Sequence, residues 1–145
     1  MSMFIGEYHH SLDDKGRVSM PAKFREDLGV VFYITKGMDS CLFVYDKEEW
    51  EKAEEKINNL RLTRKDARAF SRLFFAGASQ QSLDKQGRVV IPQNLREYAD
   101  LSRDVVIIGV SNRVEIWDRE KWEAYNSSEE FTYDALADHM DDIDF

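Results

Sequence analysis

Two arginines stand where tight turns would project them. Arg17 belongs to Ser11-Leu12-Asp13-Asp14-Lys15-Gly16-Arg17-Val18, and Arg88 to Ser82-Leu83-Asp84-Lys85-Gln86-Gly87-Arg88-Val89, 71 residues later. A guanidinium is planar and permanently charged, so its fork of donors can clamp a phosphate or read guanine O6 and N7 in the major groove. Asp13 and Asp84 precede the arginines by four positions, near enough across a turn to steer them. Gly16 and Gly87 suit the positive φ that such turns demand. Lys15 and Lys85 add charge in the same turns, and Lys23, Arg25 and Arg96 extend the basic patch along the segments that follow. Spacing alone leaves a plainer meaning open: each Asp–Arg pair could be an ion pair that only closes its turn.

The elements that must position these groups are also written twice. Pro21 and Pro92, the two prolines of the chain, both fall four residues after the Gly-Arg arginine, and Arg25 answers to Arg96. Further on, Tyr45-Asp46-Lys47-Glu48-Glu49-Trp50 matches Trp117-Asp118-Arg119-Glu120-Lys121-Trp122. Repetition over roughly 45 residues decides architecture before other signals do. It divides the chain into a first repeat at 7–50, bridging helices at 51–78, a second repeat at 79–122 and an acidic C-terminal tail at 123–145. Each copy reads strand, turn, strand, short helix, strand, strand, helix.

In the first copy, strands are expected at 7–13, 17–20, 30–35 and 41–45, with a helix at 22–28 opened by Pro21 and closed by Gly29. In the second, 79–84 is expected to pair with 88–91 as a hairpin, followed by a helix at 92–99 and strands at 105–110 and 113–117. Asp46 and Asp118 read as helix N-caps, and Trp50 and Trp122 as anchors of the helices they enter. In the bridge, Trp50, Ala53, Ile57 and Leu60 recur at helical spacing, and Thr63 could cap a second helix with Ala67, Phe70, Leu73 and Phe74 as its apolar face. Arg61, Arg64, Lys65, Arg68 and Arg72 form a basic stripe, read as a solvated face or as a contact surface.

Composition narrows the function classes. The chain has 145 residues, which fits one domain, and each copy alone would bury too little surface to be comfortably stable. The net charge is −8, yet 129–145 holds seven acidic residues and no Lys or Arg, so residues 1–128 are near −1. That leaves room for a local basic patch on a near-neutral body. Cys41 is the sole cysteine, so no internal disulfide framework exists. No apolar run approaches the ~20 residues of a membrane span. The start, Met1-Ser2-Met3-Phe4-Ile5-Gly6-Glu7, lacks the features of a signal peptide, which points to the cytoplasm. His9 and His10 are adjacent on a strand and would point to opposite faces, and His139 lies in the tail. Neither a metal cluster nor a phosphate-cradling glycine loop is evident, so no catalytic residue, metal, cofactor or small-molecule substrate is expected.

The stretch from Ser82 to Pro92 resembles the AbrB-type swapped-hairpin DNA-binding domain, and its tandem occurrence with Asp13-Asp14-Lys15-Gly16-Arg17 is similar to the MraZ family of transcriptional regulators. The resemblance covers nearly the whole chain. It implies a mixed α+β, mainly β fold in which two AbrB-like repeats interleave as one pseudo-twofold barrel with flanking helices. It also implies ring-shaped homo-oligomers, association with the nucleoid, and binding to direct repeats upstream of the division and cell-wall gene cluster. The family's DNA-binding arginine falls on Arg17, with Arg88 at the matching position, and basic helix positions of AbrB relatives fall on Arg25 and Arg96. Glu26 and Glu97 stand where some AbrB relatives carry a second arginine.

The expected function is therefore a DNA-binding transcriptional regulator, a repressor acting on promoter repeats including those of its own gene. Its partners would be double-stranded DNA and further copies of itself. Two other readings compete: a protein-interaction module of antitoxin type acting through the tail, and a structural ring protein that binds no DNA.

Overall fold

The computed structural model describes residues 3–140, so the last five residues of the acidic tail lie outside the described part. The first copy supplies β1 (Phe4–Ser11), β2 (Arg17–Ser19), α1 (Ala22–Leu28), β3 (Phe32–Lys36), β4 (Leu42–Asp46) and α2 (Lys47–Asn58). After α3 (Lys65–Ala76), the second supplies β5 (Ser79–Gln81), β6 (Arg88–Val90), α4 (Gln93–Tyr98), β7 (Asp104–Ser111), β8 (Val114–Asp118) and α5 (Arg119–Ser127). A single 3₁₀ turn at Glu129–Phe131 leads into α6 (Tyr133–His139).

The strands form two antiparallel sheets. One has six strands in the order β1-β7-β8-β4-β3-β5, and the other is a ribbon of β2 and β6. Two expectations fail here. The hairpin between 79–84 and 88–91 is not made, because β5 pairs with β3 while β6 pairs with β2 of the other copy. Nor does any sheet close into a barrel. Among the described residues β1 pairs only with β7 and β5 only with β3, so they end as opposite edges of an open sheet. Closure needs unbroken pairing around the ring. After each turn the chain instead leaves the large sheet, and the two following strands pair with each other.

Alternation along β7 fixes the layers. Val105 and Ile107 belong to one apolar cluster, Val106 and Ile108 to another, and successive side chains of a strand face opposite ways. On one face lie the ribbon, α1 and α4, sealed by Val18, Met20, Phe24, Val89, Ile91 and Leu95 against Phe4, Phe32, Ile34 and Ile107. Each such fully buried side chain contributes about 1.5–3 kcal/mol. The other face carries α2, α3 and α5. There Trp50 stacks on Tyr33 at 4.8 Å and on Phe74 at 5.3 Å, and Trp117 meets Trp122 at 5.1 Å. Trp50 and Trp122 therefore anchor α2 and α5 to the sheet.

Asp46 accepts from the Glu49 N–H at 2.8 Å and Asp118 from the Lys121 N–H at 3.3 Å, which starts those helices. Thr63 does not cap α3. Arg64 occupies that position without a side-chain cap bond, and its guanidinium donates to Asp66 at 2.7 Å. Cys41 is buried, its Sγ donates to the Met38 carbonyl at 3.1 Å, and burial pushes the thiol well above its ordinary pKa. That suits an inert packing residue.

Candidate nucleic-acid interface

The site begins with one carboxylate per turn. Asp13 accepts from the backbone N–H of Lys15 and of Arg17, both at 2.9 Å, and from Arg17 Nε at 2.7 Å. Asp84 repeats the set with the N–H of Gln86 and of Arg88 at 2.9 Å and with Arg88 Nε at 2.9 Å. Backbone bonds close both turns alike: Gly16 N–H to the Asp13 carbonyl and Gly87 N–H to the Asp84 carbonyl, each at 3.0 Å. Three donors favour the charged carboxylate. The Arg17 N–H, ahead of the guanidinium, holds Asp13 down at about 2, and the Arg88 N–H likewise lowers Asp84. The ion pair thus closes the turn and orients the guanidinium at once. Each arginine is tied to its aspartate through Nε.

The ribbon then sets where the two guanidinium groups point. Its register is Arg17 opposite Val90, Val18 opposite Val89 and Ser19 opposite Arg88, so the repeat-equivalent valines face each other at the centre. Two further bonds of 2.9 Å, Met20 N–H to the Gly87 carbonyl and Ile91 N–H to the Gly16 carbonyl, tie each strand to the other copy's turn. Val18 and Val89 are 1% exposed and point into the core. By alternation, Arg17, Ser19, Arg88 and Val90 share the outward face. Arg17 and Arg88 are diagonal neighbours there, with backbones roughly 7–8 Å apart. Their side chains are equally open, 28% each, so neither is sealed in the core.

The helix arginines do something else. Pro21 and Pro92 precede α1 and α4 as their N-cap residues. Arg25 Nε donates to the Met20 carbonyl at 2.8 Å, and its guanidinium lies against Gly87. Arg96 lies against Gly16 in the same way. Both glycines have φ +76°, and a Cβ on either would strike the facing guanidinium. Each helix arginine therefore braces the turn of the opposite copy, and a side chain in place of the glycine would both strain the backbone at φ +76° and push the bracing guanidinium aside. Lys15 and Lys85 are exposed at the two ends of the ribbon, and Lys23 is exposed on α1.

The basic residues of the two turns and of the short helices after them lie around one ribbon, whereas the stripe of Arg61, Arg64, Lys65, Arg68 and Arg72 lies on and just before α3. Arg17, Arg88, Lys15 and Lys85 form the ribbon's outer surface and tips, while Arg25 and Arg96 sit beneath the tips as braces. Ser19 and Val90 went unnoticed, although a period of two counted from Arg17 and Arg88 would have found them. The bracing contacts had no such signal, because a repeat spacing says nothing of which copy touches which. Among the described residues no group of three or more His, Cys, Asp or Glu could hold a metal ion. His9 instead bonds Glu7 at 2.9 Å on the exposed side of β1.

The wider comparison agrees with the duplication. A family model described as "MraZ protein, putative antitoxin-like" matches residues 3–73 and again 74–143. A protein of Finegoldia magna named "Transcriptional regulator MraZ" is 61% identical over 142 residues, covering 98% of this chain and 99% of the relative. Relatives of the same name from Moorella thermoacetica and a Thermoanaerobacter species are 57% and 55% identical, covering 98% and 97% of this chain and 99% of each relative. A doubled turn with paired outward arginines, a doubled family match and end-to-end identity above one half lead to one assignment: the chain belongs to the MraZ family.

Proposed function

We propose that the chain is a sequence-specific DNA-binding transcriptional regulator, not an enzyme, and that it represses from direct repeats upstream of a division and cell-wall gene cluster that includes its own gene. One observation carries this reading: Arg17 and Arg88 share the outward face of a two-stranded ribbon, each oriented by a carboxylate and each equally open. A two-stranded ribbon fits the major groove, where an arginine fork can pair with guanine. Lysines at the ribbon tips would meet phosphates and fix register. No cofactor is needed for any of this. The place of action is the cytoplasm, at the nucleoid.

A near-neutral body with few basic groups binds DNA weakly as a single copy. Several copies facing successive DNA repeats gain effective concentration, and avidity can add roughly 10²–10⁴. The chain therefore acts as a homo-oligomer, a head-to-tail contact closing into a ring.

The test is gel retardation of a fragment from upstream of its own gene. Arg17→Ala should abolish the shifted band while circular dichroism stays unchanged, each lost arginine costing about 1–3 kcal/mol per site before avidity multiplies it. Arg88→Ala should do nearly the same. Affinity should fall with salt at a log–log slope of roughly −0.9 per phosphate contacted. Retention that ignores salt, or that survives both substitutions, overturns the proposal.

A further inference from the structure

The ribbon leaves a second surface unexplained, on the opposite side of the large sheet. A groove of about 720 Å³ opens between α2 and α3, floored by Phe43 and Tyr45 and walled by Ile57, Phe70, Leu73 and Phe74. Leu73 is 58% exposed and Met38, at its lip, 54%. Lys36, Lys52 and Lys56 line the same groove with one carboxylate, Glu49; Lys52 pairs with it at 3.3 Å and with Glu48, beside the groove, at 3.6 Å, which leaves Lys36 and Lys56 without a carboxylate partner among the described residues. An apolar trough with a cationic rim suits an amphipathic helix that carries acid.

One segment of this chain has that chemistry. Tyr133, Leu136 and Met140 fall at i, i+3 and i+7, one face of α6 and the residue after it, and all three are exposed. Asp134 and Asp138 flank them, within a stretch, 129–145, of seven acids and no Lys or Arg. Phe131 stacks on Tyr125 at 4.9 Å and ties the start of the tail to α5. From that anchor α6 takes no part in lining its own chain's groove.

We infer that the groove between α2 and α3 receives the acidic helix α6 of a second copy of this chain. Leu136 and Met140 enter beside Phe70 and Leu73, and Asp134 and Asp138 meet Lys52 and Lys56. Each copy then offers one tail and one groove, a heterologous contact that repeats from copy to copy and keeps the ribbon on the other face free. This rests on the homo-oligomer reading above and names the surfaces that make it.

The experiment measures molar mass by size-exclusion chromatography with light scattering, on the full chain without DNA. Wild type should run as a multimer of the 17.0 kDa chain. Lys52→Glu/Lys56→Glu and Asp134→Lys/Asp138→Lys should each bring the mass down toward one chain, and combining all four should restore the multimer. Leu73→Asp alters an exposed groove residue, so the fold should survive while the mass falls, with thermal melting as the check. A wild-type monomer overturns the oligomer reading and this one with it. A multimer indifferent to both charge reversals and to Leu73→Asp, or a fourfold variant no larger than either parent, overturns the groove contact alone.

Discussion

The turns of the two copies carry the same bonds, whereas the strands leading into them do not match. β1 pairs with β7 over eight residues, and its counterpart β5 pairs with β3 over three. The contrast shows where the shape of the surface is held. A carboxylate, two backbone N–H groups and a glycine fix each arginine within six residues, and the facing copy braces each turn from below. Strand length upstream can therefore diverge without moving the guanidinium groups. In the first copy the longer strand brings Phe4 and Tyr8 onto the helix that follows the turn, and in the second the position matching Tyr8 is Ser79.

That difference gives the largest expected effect. Phe24 on α1 meets Phe4 at 5.5 Å and Tyr8 at 5.3 Å, both edge to face. Its equivalent on α4 is Leu95, fully buried but with no ring of its own to meet others edge to face. Phe24→Ala should cost about 3–5 kcal/mol, and Leu95→Ala about 2–3 kcal/mol, near the lower end for a buried leucine. Urea midpoints at unchanged slope would measure both. A larger loss for Leu95→Ala would mean that the short-stranded half carries more of the core than its contacts indicate.

A smaller contrast lies just after α1 and α4. Gly29 has φ +76° with open space around it, and the equivalent Asp100 has φ +51°. A left-handed backbone costs an L-residue roughly 1–2 kcal/mol, less for aspartate, while glycine loses more chain entropy on folding. The lysine that approaches Asp100, Lys121 at 3.6 Å, is a surface pair of little worth. Asp100→Gly should thus stabilise by up to about 0.5 kcal/mol, whereas Gly29, whose ψ of −168° puts it in a region essentially reserved for glycine, should lose about 1–3 kcal/mol on Gly29→Ala. Paired thermal melts would show the opposite signs. Two losses would mean that Asp100 is held by more than its backbone conformation.

The same contrast between local and distant bonds explains what could be read from sequence. The boundaries of α1 follow from Pro21 and the Gly29 stop, and the Asp13–Arg17 bond from a spacing of four. Asp46 and Asp118 announced their helices by type and place. Each of these depends on residues within one turn of chain. Strand partners do not. Residues 79–81 and 88–90 look like one hairpin because a turn lies between them, yet pairing across copies buries Val18 and Val89 together and is preferred. The barrel, which the family resemblance implied, failed because β1 and β5 end as opposite edges of an open sheet, a long-range outcome that no local pattern states. Charge assigns Arg25 and Arg96 to the basic patch, but their bracing role depends on a contact across copies that only the fold supplies.

The smallest effect tests whether each turn stands on its own bonds. Asp13 sits at about 2, below its ordinary 3.8, and Asp84 is lowered in the same direction. A lowered carboxylate contributes its stability fully above the ordinary value, and that contribution fades as pH falls through the folded-state value. The window is therefore acidic, from about pH 4 downward, and ribbon stability near pH 7 should be insensitive to pH from this source. Carboxyl-carbon NMR titration should find both aspartates below 3.8. In Arg17→Ala the guanidinium bond is lost but the backbone N–H, the larger influence, remains. Asp13 should accordingly rise only part of the way toward 3.8, and Asp84, with its own three donors, should stay where it was. If Asp84 rises with Asp13, the two turns are coupled through the ribbon and their likeness reflects one shared structure instead of two local ones.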